Sequence, residues 1–134
     1  MADLEPVLEA RLKAHVGLAA LISTRVFPVV LRQSTPYPAV TYQRIGTDPL
    51  SGMTADHGIS MARIQIDSWG ETYASAKNVA AQVRDALKRY SDSGSNPELL
   101  DSFLDNELDD FEPDLKSGGG VYRVIQDYIV HYRE

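Results

Sequence analysis

Cysteine is absent from the 134 residues of this chain. That excludes a disulfide framework, a thiolate metal centre and a cysteine nucleophile. Long hydrophobic runs are missing too, and none approaches the roughly 20 residues that cross a bilayer as a helix. The opening Met1-Ala2-Asp3-Leu4-Glu5-Pro6 lacks the basic start and apolar core of a secretion signal. The expectation is a protein that meets no membrane and is assembled in a cytoplasm. Basic residues are scarce: 13 Lys and Arg stand against 19 Asp and Glu, for a net charge of -6. Such a chain has no general grip on nucleic acid, which needs clustered cations against phosphate.

What is present is ordinary for a folded protein, with 43% apolar and 24% charged residues. The length suits one domain, residues 1–134, with one core. Charge is unevenly placed. Residues 1–90 carry 10 basic and 8 acidic side chains, whereas residues 91–134 carry 3 and 11. Glu98, Asp101, Asp105, Glu107, Asp109, Asp110, Glu112 and Asp114 follow one another without an intervening Lys or Arg. A solvated edge is one reading of that run. The other is a surface that repels polyanions or meets a basic partner.

Periodicity gives the elements. Leu4, Val7, Leu8 and Leu12 form the stripe of a first helix, with Asp3 placed to cap it. Gly17 interrupts, and residues 18–22 read as a short helical turn. Residues 25–27 are extended, and Pro28 confines them to a sheet edge. Residues 39–45 and 59–69 are β-rich runs, the second with Ala62, Ile64, Ile66 and Ser68 on one face. Between them, Gly46 to Gly58 reads as a long polar loop. Residues 71–90 carry the stripe Ala76, Val79, Ala80, Val83, Leu87 and Tyr90 of a second helix. Residues 99–110 are ambiguous, since Leu100, Leu104 and Leu108 suit either a helix or a strand, and spacing alone leans to helix. Residues 114–120 read as a turn and 121–132 as a final strand. The sum is α+β: an antiparallel sheet of about four to five strands with two helices packed on one face.

Catalytic chemistry is thinly represented. His15, His57 and His131 show no i,i+4 pairing for zinc. No Gly-x-Ser-x-Gly occurs. Gly118-Gly119-Gly120 lacks the spacing and the following helix of a phosphate loop. Asp101, Asp105, Glu107 and Asp109 lack the glycine of a calcium loop. Asp56-His57 with a serine is the one arrangement that suggests a hydrolase. No catalytic, cofactor or metal residues are expected.

The landmarks also occur in a telling order. Gly17-Leu18-Ala19-Ala20-Leu21 is followed by Arg25-Val26-Phe27-Pro28 and Pro36-Tyr37-Pro38-Ala39-Val40-Thr41-Tyr42. Then come Ala62-Arg63-Ile64-Gln65-Ile66-Asp67-Ser68-Trp69, the Tyr73-to-Leu87 helix, Leu104-Asp105-Asn106-Glu107, Phe111-Glu112-Pro113 and Val121-Tyr122-Arg123. Asp127-Tyr128 and Val130-His131-Tyr132 close the series. Over nearly its whole length the chain resembles the tail completion, or tail-to-head joining, proteins of long-tailed phages and prophages. That resemblance implies a tail terminator-like α+β protomer in a hexameric ring at the head-proximal end of the tail. It implies partners in the tail tube protein and the head connector or adaptor, with DNA passing through unbound. It further implies a place in the virion, and that residues 99–110 are a strand.

Two site expectations accompany it. The carboxylates from Glu98 to Asp114 would line the lumen or meet a partner. The 46–58 loop, with Thr47, Asp48, Ser51, Met53, Asp56 and His57, would contact a neighbouring ring. A small acidic adaptor or inhibitor that sequesters a basic protein is the alternative.

Overall fold

The computed structural model describes residues 3–31, 35–51, 56–113 and 119–133. Three helices, α1 (Leu4–Ala14), α2 (Val16–Ile22) and α3 (Tyr73–Leu87), accompany five strands. These are β1 (Val26–Pro28), β2 (Ala39–Ser51), β3 (Asp56–Gly70), β4 (Glu98–Pro113) and β5 (Gly120–Arg133). They form one sheet in the order β1-β2-β3-β5-β4.

Leu4, Leu8 and Leu12 of α1 recur every four residues, so one face is apolar and all three are buried. Asp3 precedes the helix in extended geometry, but its side chain makes no capping bond. The short turn expected at 18–22 is a helix in its own right, separated from α1 by the extended His15 and burying Leu18 and Ile22. Thr72 caps α3 by accepting from the Ser75 N–H at 3.1 Å. The expected stripe is buried along α3, and Tyr90 lies beyond its end, half-buried against the same core. Gly70 joins β3 to α3 at close quarters: a Cβ there would lie 2.6 Å from the Ala76 nitrogen.

The sheet is mixed rather than wholly antiparallel. β2–β3, β3–β5 and β5–β4 are antiparallel, but β1 runs parallel to β2, with Val26 opposite Val40. A tight turn would have forced the antiparallel choice; the long 29–38 connection carries the chain back to start β2 beside the start of β1. The expected 46–58 loop is also mostly strand. Gly46 to Leu50 pair with Arg63 to Ile59, and Ser51 with Asp56. Ile45 is left as an extra residue where the register shifts, so the ladder resumes at Gly46. Pro49 is tolerated because β2 has no described outer neighbour at that level.

β4 is a strand throughout, as the resemblance implied and against the helical lean of its spacing. Its register shifts twice, between Leu99 and Asp101 and between Leu104 and Asn106.

The helices cover the face carrying Val40, Ala62, Ile64, Ile66, Tyr128 and Val130, all fully buried. Each large side chain withdrawn there from water contributes about 1.5–3 kcal/mol. Two polar groups enter this core with partners. The Gln126 amide donates to Ala80 O at 3.2 Å and to Glu107 at 2.8 Å, and accepts from the Tyr128 hydroxyl at 3.1 Å. The Ser102 hydroxyl donates to Leu87 O at 2.6 Å.

Candidate functional site

β4 bears the acidic run, and strand alternation with its two bulges splits that run between the sheet's faces. Glu107 and Asp109 stand opposite Gln126 and Val124, on the helix side. Asp110 stands opposite Arg123 and Asp101 opposite His131, on the face without helices. Glu98 pairs with Arg133, and Glu112 shares the side of Asp110. Asp114 lies outside the described residues.

Each described member of the run has a cation. Arg63 meets Asp105 at 2.6 Å, Arg89 meets Asp101 at 2.9 Å, and Arg133 meets Glu98 at 3.4 Å. Lys77 of α3 reaches Asp109 at 2.8 Å and Glu107 at 3.5 Å. Arg123 bridges Asp110 at 2.8 Å and Glu112 at 3.4 Å. Seven carboxylates thus face five cations, so the surface is a charge network with two negative charges in excess rather than a bare acidic stripe. The cations come from β3, α3, the link that follows α3, and β5, outside the run itself. The bond from Lys77, aided by the Tyr73 hydroxyl at 2.7 Å, holds Asp109 below the usual carboxylate range. The same bond to Asp109 raises the Lys77 pKa.

The helix-free face has its own centre, which sequence reasoning did not single out. Arg123 stacks over Trp69 at 5.1 Å and reaches Asp67 at 3.7 Å. The Trp69 indole donates to the Thr41 hydroxyl at 3.0 Å, and the Gln65 amide donates to Asp67 at 3.2 Å. Burial pushes the Asp67 carboxyl up, with Arg123 opposing. One Asp127 oxygen and the Arg123 Nε are buried here without a hydrogen-bond partner. The signal was present in the sequence: the Asp67-Ser68-Trp69 and Tyr122-Arg123 landmarks lie on adjacent strands, with Trp69 opposite Arg123.

The second expected site is a hairpin arm. Thr47 and Asp48 belong to the β2 ladder, opposite Ala62 and Met61. Ser51 and Asp56 pair across the end of the arm, and His57 follows on β3. Met53 lies outside the described residues.

Among the described residues no group of three His, Asp or Glu side chains forms a metal site, and no helix is long and apolar enough to cross a membrane. His15 contacts Gln82 and Asp85, each at 3.3 Å, and His131 stacks on Phe103. A groove of about 400 Å³ lies between α1 and the link from α3 to β4. Its one arginine, Arg11, is engaged by Ala86 O and the Tyr90 ring.

Comparison with known proteins gives a consistent answer. No curated protein matches the chain. A solved structure described as "Virion of native gene transfer agent (GTA) particle" contains a chain of similar fold. Its TM-score is 0.79 at 20% identity, covering 98% of this chain and 95% of that one. The family described as Tail completion protein gp17 matches residues 6–133. The chain therefore belongs to the tail completion protein family, a class of structural virion components of the phage tail.

Proposed function

We propose that this protein completes the phage tail by forming a homo-oligomeric ring, six copies in the assembled tail, at its head-proximal end and joining it to the head connector. The family match over residues 6–133 carries this reading. The similarity to a chain of a gene transfer agent particle supports it. The protein works by shape and charge, without a reacting group.

In this reading the helix-free face of the sheet borders the channel. It holds Asp101, Asp110, Glu112 and the Asp67–Arg123 cluster, with carboxylates outnumbering cations, so DNA phosphates find no continuous cationic track. Glu107 and Asp109 face α3 instead and serve the fold. The β2–β3 arm, with Thr47 and Asp48 in its ladder and Ser51, Asp56 and His57 at its end, touches an adjoining ring. The alternative of an acidic adaptor is weakened, because each described carboxylate that would bind a basic partner already meets a cation within the chain.

The test is a phage lacking this gene. Unjoined heads and tails in electron micrographs, with joining restored by the purified protein, are expected. Normal joined particles from the deletion strain would overturn the reading.

A further inference from the structure

The sheet has two edges that are chemically unlike. β4 forms one edge, and its described outer side is covered only where Asp92 pairs with Leu99. Beyond that bridge the strand runs to Pro113 with Leu108 and Phe111 about half exposed. An edge of this kind, with open backbone groups and exposed apolar side chains, is a template for another strand.

The opposite edge, formed by β1 and the distal half of β2, has its own apolar ledge. Val29 is 60% and Val30 68% exposed immediately after β1. Val29 has φ 65, a conformation that β-branched residues seldom adopt, and it is held by its N–H donating to Tyr42 O at 2.8 Å. Arg25 stands just before β1. Its guanidinium donates to the carbonyls of Pro38 and Leu21, and no described carboxylate neutralises it.

Strand direction decides what these edges can meet. Along β2-β3-β5-β4 every neighbour is antiparallel, so β2 and β4 point opposite ways. β1 is parallel to β2 and therefore also opposed to β4. A second copy turned about an axis, without inversion, brings its β1–β2 edge alongside β4 in the antiparallel sense. The levels also agree. Ala39, Trp69, Arg123 and Asp110 form one row across the sheet, and Arg25 lies beside that row, its carbonyl accepting from Val40. Thr41, Asp67, Ile125 and Leu108 form another, within about two residues of the level of Val29. Pairing β4 with β4 of a second copy would instead set two acidic strands against each other, which like charges oppose.

We infer that the β4 edge of one copy packs antiparallel against the β1–β2 edge of the next, Leu108 level with Phe27 and Arg25 facing Asp110, which shares its one cation, Arg123, with Glu112. The contact is head-to-tail, so it propagates, and it gives a ring where the rotation from copy to copy closes. This inference rests on the ring reading and specifies which surfaces make it.

Because the chain has no cysteine, engineered thiols report cleanly. In Leu108→Cys/Phe27→Cys, oxidation of assembled tails or concentrated protein is expected to give a denaturant-resistant ladder ending at the ring size. Each single variant should give no covalent dimer, and a mixture of the two singles should give dimer and nothing larger. Leu108→Asp should lose assembly at an unchanged melting temperature. Rings in micrographs without cross-linking in the double variant, or dimers from either single variant, would overturn the edge contact while leaving the ring reading intact. Absence of any species above monomer, both in solution and on tails, would overturn the ring and with it the contact.

Discussion

The two faces of the sheet use opposite chemistry. Under the helices, Ile64, Ile66, Tyr128 and Val130 are sealed from water; the Gln126 amide and the Ser102 hydroxyl there are bonded, whereas the buried Ser60 and Ser68 hydroxyls have no partner. On the bare face, Asp67, Arg123, Trp69 and Asp127 are partly withdrawn from water, and the two polar atoms without partners there are the Arg123 Nε and an Asp127 carboxylate oxygen. Native interiors rarely leave such atoms unsatisfied. The covered face is an apolar core whose unpartnered atoms are neutral hydroxyls, whereas those of the bare face belong to ionisable groups. Apolar burial and charge therefore sit on different sides of one sheet.

Substitutions can break that division, and the largest effect belongs to the covered face. Leu8→Ala empties a fully buried position between α1 and the sheet. A loss of about 2–5 kcal/mol in urea unfolding is expected. On the bare face, Arg123→Ala leaves the buried Asp67 without its cation. That should cost about 2–3 kcal/mol, less than a fully buried pair because Arg123 keeps some contact with solvent. Gln126→Leu strands the Tyr128 hydroxyl in the core, and about 1–3 kcal/mol is expected by the same measurement.

A pH series sharpens the comparison further. The folded Asp67 pKa lies above its ordinary 3.8, so protonated Asp67 supports the fold. That support is complete below 3.8 and disappears as pH rises through the elevated folded value. Asp67→Asn should flatten this decline, seen as a urea midpoint that no longer falls over that interval. Asp109 has the reverse sign: its pKa is lowered, so its contribution is present above the ordinary value and lost as pH falls through the folded one. The smallest effect is expected from Lys77→Met. Its ion pairs are a third or more exposed, and the change in stability should stay within about 1 kcal/mol.

The order of elements, the buried stripes of α1 and α3 and the inward face of β3 were legible because each repeats at the period of its own backbone. β4 was not. Its two bulges place Leu99, Ser102, Leu104, Glu107, Asp109 and Phe111 on one side, at intervals of three and two. A strand whose phase slips twice imitates helical spacing, and only the ordered resemblance pointed to the extended form. The charge run misled differently. Its carboxylates are adjacent in sequence, but the cations that answer them, Arg63, Lys77, Arg89, Arg123 and Arg133, arrive through sheet pairing and helix packing. The distal hairpin read as a loop because Gly46 and Pro49 disfavour strands, whereas a bulge and an open edge accommodate both. Parallel β1 was hidden because a three-residue strand carries no directional signal.

Gln126 ties these threads together at one atom group. Its amide hydrogens are shared between a carbonyl of α3 and a carboxylate of β4, while Tyr128 fixes which way the amide points. If β4 slid by one residue, its side chains would exchange faces and Glu107 would swing away. The amide would then face hydrocarbon with a hydrogen unclaimed. A single interior glutamine thus acts as a locking pin, fixing the alignment of the outermost strand before any neighbour arrives.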